Sequence, residues 1–367
     1  MKHLLLLILF TVTAQAQTVF MHDISILYPK PLVPQSADAL KVSTAGAMDE
    51  LLPKSVYTKL PKLEFTFDEK TQHDLLEVMA IRIDPPEVRL VWGVFKDFSR
   101  FEERPRILGL DASVHTFYKL ENPDEFIKRL KEISEQTRVD LKADMPLSVH
   151  PTLLREGISG AYGSALKKLL LENIGAKNLT KMTFMAVSAV HLRWDFGGFL
   201  VNKGKPSALK IAKLGSAKLQ TFVNDDFPGT DFSGEITPAP KGQEAFNKFV
   251  SNSMVSANRT SEKLTSAHGT AKRIENPTLE TSDTIDCVSC HVAQQVRYMS
   301  EATEPPLRQS MENRYVSEAF NLSNLSKGRT RTDNVHAFGW FGDAASINQR
   351  TINETAHVAA KLSAQTK

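Results

Sequence analysis

The chain has only two cysteines among its 367 residues, and they lie three positions apart as Cys287 and Cys290. A disulfide between cysteines this close cannot cross-link distant parts of the chain, so the fold must be stabilised by burial of apolar side chains. The sequence supplies enough of them, because 41% of its residues are hydrophobic and 24% are charged, as in an ordinary globular protein. The two cysteines therefore need another explanation.

Residues 1–16 have the pattern of a secretory signal peptide. Lys2 precedes the apolar run of residues 4–10, and Ala14 and Ala16 follow at the positions that a signal peptidase reads. We therefore expect cleavage after Ala16 and a periplasmic or secreted protein. An uncleaved N-terminal anchor is the alternative. No later segment is apolar for long enough to cross a bilayer, so we expect no transmembrane segment in the mature chain.

The charges are nearly balanced and are spread along the whole chain. The net charge is +3, and removal of Lys2 with the signal peptide leaves 44 basic residues against 42 acidic ones, or +2. Nothing in this balance points to nucleic acid or an anionic membrane as a partner. The chain also has no Gly-rich phosphate loop, no H-E-x-x-H and no G-x-S-x-G, so hydrolase and nucleotide chemistry have no motif behind them.

The spacing of apolar residues divides the chain into two regions. Residues 17–240 mix strands and helices without the alternation of a doubly wound sheet, which predicts an α+β domain. Prolines and glycines at residues 224–242 predict a linker. Residues 241–367 have mainly helical spacing, which predicts a helical region.

Several elements are predicted from local patterns. Alternating apolar residues predict one long strand over residues 183–196, with Phe184 and Phe196 on one face and Gly197-Gly198 as the turn after it. Amphipathic spacing predicts a last helix over residues 343–363. The other predicted elements are strands over residues 75–95, with a break at Pro85-Pro86, and 114–120, and helices from Asn122 and over residues 161–174.

Cys287-Val288-Ser289-Cys290-His291 is the C-x-x-C-H sequence that attaches c-type haem. On one helical turn, two thiols spaced in this way reach the two vinyl groups at one edge of a porphyrin and form thioethers. The adjacent His291 then presents its imidazole to the iron. We therefore predict one covalent haem c held by Cys287, Cys290 and His291. Any of four preceding residues can cap a helix that begins near Cys287, namely Ser282, Asp283, Thr284 and Asp286.

Other interpretations of the two cysteines stay open at this point. They can form a plain Cys287–Cys290 disulfide or a redox-active pair, although the thioredoxin type follows a strand in a βαβ unit that this segment lacks. They can form half of a zinc site, although no second C-x-x-C or close His pair completes a tetrahedron. Export to an oxidising compartment, where haem c is attached, favours the haem interpretation.

The motif and the predicted final helix resemble those of c-type cytochromes over about the last 100 residues. The resemblance implies that these two helices cross near the haem edge and that a downstream Met is the second axial ligand. The implied fold class is an α+β N-terminal region followed by a mainly α-helical, cytochrome c-like haem segment. The N-terminal part is similar to that of exported bacterial proteins with a single such motif, which implies no activity.

The second iron ligand is not settled by the pattern. Met311 follows the Pro305-Pro306 break and can fold over the distal side of the haem. His336 lies in an aromatic segment that can wall a haem pocket. Met299 lies on the same helix as His291 and cannot reach the far side. His357 and His268 are weaker candidates.

Three functions are compatible with these observations. The favoured one is an exported monohaem cytochrome that passes single electrons and has no catalytic residue, its N-terminal part docking a redox partner that the sequence does not identify. The second is a haem enzyme, or a peroxide or gas sensor, with an open sixth iron position. The third is a haem-free secreted binding protein with a Cys287–Cys290 disulfide. The oligomeric state is not indicated.

Overall fold

The computed structural model describes residues 19–63, 72–99, 106–137, 141–142, 145–188, 193–223, 260–317 and 335–365. The predicted signal peptide, the predicted linker and the predicted domain boundary at residue 240 lie outside these residues.

The described residues form strands and helices with the following bounds. The strands are β1 Ser25–Leu27, β2 Ala45–Gly46, β3 Asp49–Glu50, β4 Glu77–Asp84, β5 Glu87–Gly93, β6 Phe95–Asp97, β7 Ile107–Gly109, β8 Ser113–Lys119, β9 Leu179–Ser188, β10 Arg193–Asn202, β11 Lys205–Ala208, β12 Leu219–Val223, β13 Phe338–Phe341 and β14 Ala344–Ile347. The α-helices are α1 Met21–Ile24, α2 Lys54–Tyr57, α3 Pro123–Thr137, α4 Pro151–Glu156, α5 Ala161–Asn173, α6 Ser261–Glu275, α7 Cys287–Thr303 and α8 Gln349–Ala364. Short 3₁₀ helices span His73–Leu75 and Pro305–Gln309.

An antiparallel sheet of eight strands is the centre of the described structure. Its order is β1-β4-β5-β8-β9-β10-β11, and β12 also pairs with β10, along the same edge as β11. The predicted break at Pro85-Pro86 is confirmed, because it separates β4 from β5 and the two strands pair as a hairpin. The predictions of β8, α3 and α5 are confirmed to within a few residues.

The prediction of one long strand over residues 183–196 is wrong. The segment contains parts of two strands, β9 and β10, which pair antiparallel with Arg193 opposite Ser188. Gly197 lies inside β10 and not in a turn, and it pairs with Phe184, so Phe184 and Phe196 lie on opposite faces of the sheet. A Cβ at position 197 would lie 2.9 Å from Cζ of Phe184. Close packing therefore explains the glycine that suggested a turn.

Helices cover both faces of the sheet. On one face, Leu90, Trp92 and Val114 pack in a common apolar cluster with α3 and α5, and we call it the α3/α5 face. The other face carries His115 and Thr183, which are register partners on β8 and β9, and we call it the C-terminal face. Helices α6 and α7, the first part of α8 and the β13–β14 hairpin pack on the C-terminal face. The last turns of α8 join the α3/α5 cluster through Val358, Ala359 and Leu362.

The predicted fold class is wrong, because the C-x-x-C-H segment does not lie in a separate, mainly α-helical unit. Leu264 on α6 and Val292 on α7 are buried in one cluster with Trp194 and Phe222 from the sheet. The two helices therefore complete their core with strand residues and do not form a core of their own. The same region also contributes the β13–β14 hairpin.

The predicted last helix begins later than expected. Residues Ala344–Ile347 pair with Phe338–Phe341 in the hairpin, and α8 starts only at Gln349. Asn348 caps it by accepting a hydrogen bond from the backbone N–H of Thr351 at 2.8 Å. Among the helices of the described ranges, none has the length and apolar character needed to cross a bilayer.

Candidate haem site

Helix α7 begins at the first cysteine of the motif, as predicted. Of the four candidate caps, Asp286 is the one used: its carboxylate accepts a hydrogen bond from the backbone N–H of Ser289 at 3.0 Å. The same carboxylate accepts a 2.8 Å bond from the side chain of Gln220 on β12, and Gln220 in turn accepts one from Val288 N–H at 3.0 Å. The start of the motif helix is thereby tied to the sheet.

The three functional side chains of the motif share one side of α7. Cys287, Cys290 and His291 are half-buried, whereas Val288 and Val292 are buried on the side that packs into the core. Positions i, i+3 and i+4 lie on one helical face, so the spacing alone places the three motif residues on one side of α7 and the two valines on the other. All three functional residues line a single cavity of about 520 Å³, a volume within the usual range of cofactor pockets.

His291 is oriented by a backbone carbonyl. Its Nδ1 lies 2.6 Å from the carbonyl oxygen of Val335. A carbonyl can only accept, so Nδ1 carries the proton and Nε2 keeps a free lone pair, which is the usual arrangement of an iron-binding or zinc-binding histidine. The ring also packs 4.9 Å from that of Phe196. Burial lowers the pKa of His291 to about 4, with a smaller contribution from His336, so the imidazole is neutral.

The two cysteines are free thiols in the structure. Burial, followed by the nearby Asp286 carboxylate and Cys290, raises the pKa of Cys287 to about 12, and burial also raises the pKa of Cys290. A redox-active C-x-x-C needs a thiolate stabilised near neutral pH. The surroundings of Cys287 and Cys290 instead favour the protonated thiols, because they raise both pKa values.

The donor set does not suit a directly bound metal ion. Within the described ranges, no three His, Cys, Asp or Glu side chains come close enough to hold one ion, and this includes the three residues of the motif. Zinc sites require donors that converge on one point at about 2.0–2.3 Å. Thiols and an imidazole spread along a cavity wall instead match a flat macrocycle that is bonded at its edge and at its centre.

One end of the cavity carries excess positive charge. Arg82 and Arg350 each lie 2.6 Å from a carboxylate oxygen of Glu354, and Arg89 lies 3.4 Å from Glu87. The Nε atoms of Arg82 and Arg89 are buried and have no hydrogen-bond partner among the residues that the structure describes. Buried guanidinium donors without partners suit the two propionates of a haem. The cavity residues therefore fit a haem in its donors and in its charge.

The structure brings neither of the predicted distal ligands into this cavity. Nε2 of His336 lies 2.8 Å from a carboxylate oxygen of Asp111, and its ring stacks on Phe341. Met311 is 60% exposed, outside the lining of the cavity. His357 packs edge-on to Tyr315 and lines a different cavity.

His115 is the site residue that the sequence analysis missed. It lies on β8, is half-buried and lines the cavity together with the motif. Burial lowers the pKa of His115 well below its ordinary value, with further contributions from Arg89 and then His291, so its ring is neutral. The available signal was weak: in the predicted strand over residues 114–120, His115 and Phe117 alternate with residues of the opposite face. No pattern in the neighbouring residues indicated that the face carrying His115 and Phe117 lines a site.

Comparison of the chain with protein-family models, curated proteins and solved structures gave no match.

Proposed function

We propose that the protein is an exported c-type cytochrome that carries one covalent haem and passes single electrons. The observation that carries the proposal is the convergence of Cys287, Cys290 and a correctly oriented His291 on one cavity. The signal-peptide pattern supports a periplasmic or secreted location, in which haem c is attached.

Each motif residue has a definite role in this proposal. Cys287 and Cys290 would each hold the haem by a thioether, in which the thiol has added across one vinyl group with sulfur on one carbon and hydrogen on the other. His291 would hold the iron through Nε2, while its Nδ1–H donates to the carbonyl oxygen of Val335. Arg82 and Arg89 line the same cavity and would supply guanidinium donors to the propionates. The bound haem supplies a one-electron redox couple at its iron.

Electron transfer is supported by the rim of the cavity. Val91 and Ile285 are buried in its wall, whereas Lys210, Ser282 and Asp283 at its edge are exposed. A haem held by these residues would be shielded by the buried wall and would lie near solvent at the exposed edge. Electron transfer needs only such an edge, because no substrate has to reach the iron.

Expression of the full chain in a bacterial host with cytochrome c maturation machinery tests the proposal. The measurements are intact mass and haem staining after denaturation, followed by a potentiometric titration. We expect the mature chain to gain the mass of one haem and to titrate with a one-electron slope. Substitution of both Cys287→Ser and Cys290→Ser should abolish the covalent haem, whereas the exposed control Met311→Ala should load fully.

Two results would contradict the proposal. One is a colourless wild-type protein without added mass from a host that matures a known cytochrome c in parallel. The other is full covalent loading of the Cys287→Ser, Cys290→Ser double variant.

A further inference from the structure

We propose that His115 is the second axial ligand of the haem iron, so that a strand of the sheet and helix α7 hold the iron from its two sides. The inference rests on the proposed function and goes beyond it, because the motif says nothing about the distal side. The juxtaposition that carries it is that His115 on β8 and His291 on α7 line the same cavity, the first from the sheet and the second from the helix layer.

The position of His115 in the sheet makes its side chain face α7 and not the opposite core. Its register partners are Val91 on β5 and Thr183 on β9, and all three line the cavity. Its neighbours Val114 and Thr116 are fully buried on the α3/α5 face. A strand in the middle of a paired sheet has little freedom to move, so the backbone holds this imidazole at a defined place.

The ring of His115 is also chemically available. No hydrogen bond to either of its nitrogens occurs within the described ranges, whereas His73, His268 and His336 are each bonded to a protein oxygen. A half-buried imidazole without a protein partner has an unmet hydrogen-bonding capacity. Iron would satisfy one nitrogen, and solvent or a haem substituent the other.

The remaining lining offers little competition for the distal position. Besides His291, His115 is the only imidazole that lines the described part of this cavity, and no Met or Tyr lines it. The Nζ atom of Lys181 lies 3.0 Å from a carboxylate oxygen of Asp283 and packs over the ring of Phe117, so this amine already has partners. The expected ligand pair is therefore His/His, and the expected redox potential is lower than that of a His/Met cytochrome.

This ligand pair decides between the two haem functions. With His115 on the iron, no position is open for peroxide or a gas, so the site transfers electrons and does not act on a substrate. With an open position, the same protein would be an enzyme or a sensor.

The test uses the full-length haem-loaded protein and its variants His115→Leu, His115→Met and Thr183→Val. Thr183→Val is the matched control, because Thr183 lines the same cavity beside His115 but contributes no iron ligand. Intact mass is measured first, since it reports covalent loading and thus the proposed function. Optical and electron paramagnetic resonance spectra then report the spin state, and carbon monoxide tests whether the reduced iron has an open position.

We expect the wild type and Thr183→Val to be low-spin and not to bind carbon monoxide. His115→Leu should retain one covalent haem, become high-spin and bind one equivalent of carbon monoxide. His115→Met should stay low-spin with a higher redox potential than the wild type.

Two results would overturn the assignment while leaving the proposed function intact. One is a fully loaded wild type that is high-spin and binds carbon monoxide. The other is a His115→Leu variant that stays low-spin and closed to carbon monoxide. If His115→Leu does not fold, the spectra of the wild type and the potential of His115→Met decide the question. A wild type without covalent haem would overturn the proposed function and this inference together.

Discussion

The two faces of the central sheet are built by the same strands but bury very different side chains. On the α3/α5 face, Leu90, Trp92 and Val114 are completely buried, and the indole N–H of Trp92 donates to the hydroxyl of Thr116 at 2.8 Å. On the C-terminal face, Arg89 and His115 border a cavity and leave nitrogen atoms without a hydrogen-bond partner among the described residues. The first face is apolar at these positions and its indole N–H is paired, whereas the second borders a cavity at these positions.

This difference separates stability from function. A buried polar group without a partner costs about 1–3 kcal/mol, so several of them on one face destabilise the chain unless a ligand satisfies them. The α3/α5 face provides the compensating apolar burial. Substitutions on it should change stability without changing the proposed haem, and substitutions of the residues proposed to hold the haem should change both.

Phe126→Ala on α3 should have the largest effect on stability. Phe126 is buried in the α3/α5 cluster, and its truncation leaves a cavity that costs about 4 kcal/mol of unfolding free energy. Urea denaturation followed by circular dichroism measures the loss. The folded fraction should retain the proposed covalent haem and its spectrum. A changed haem spectrum would show that the two faces are not independent.

Glu354→Gln on the C-terminal face should cause the next largest loss of unfolding free energy. Burial alone would raise the pKa of Glu354, but the guanidiniums of Arg82, Arg350 and Arg89 together lower it to about 2. The carboxylate therefore stabilises the folded chain at neutral pH, and we expect its loss to cost about 3 kcal/mol in urea denaturation at pH 7.

The pH dependence of stability in the wild type and in Glu354→Gln tests the same explanation. Because the folded pKa of Glu354 lies below the unfolded value, its contribution is complete above pH about 4.5 and is lost as the pH falls towards 2. The difference in unfolding free energy between wild type and Glu354→Gln should shrink over this window. A difference that stays constant from pH 7 to pH 3 would rule out this carboxylate as its source.

Asp286→Ala should have a moderate effect, about 1 kcal/mol, because it removes the cap of α7 and a hydrogen bond from Gln220. Thr260→Ala is the matched control. Thr260 caps α6 in the same way but is exposed, and its hydroxyl accepts a hydrogen bond from the N–H of Lys263 at 3.4 Å. The loss for Asp286→Ala should exceed that for Thr260→Ala, and an equal loss would mean that the link to the sheet contributes nothing.

Met311→Ala should have the smallest effect, within about 0.5 kcal/mol, because the side chain is mostly exposed. The visible spectrum of the haem protein should also be unchanged. Met311 is the ligand that a cytochrome c resemblance favours, so loss of a low-spin spectrum in this variant would sharply contradict the choice of His115.

Local patterns predicted part of the fold well. The start of α7 at Cys287 and the break between β4 and β5 at Pro85-Pro86 follow from caps and prolines that act over a few residues. The pairing of β9 with β10 was missed, since alternation looks the same on both sides of a chain reversal and the packing of Phe184 on Gly197 is visible only in the paired sheet. The packing of α6 and α7 on Trp194 and Phe222 was missed because it joins distant segments.

The sequence by itself determined the chemistry of one helical turn. Two thiols and an imidazole at positions i, i+3 and i+4 must share a helix face, whatever surrounds them. Only the tertiary structure decided what lies opposite that face: His115 and the arginines reach the cavity because antiparallel strands set their register and alternate their side chains. Helical spacing is a short-range property that can be read along the chain, whereas a cavity between a sheet and a helix is made by contacts between segments far apart in it.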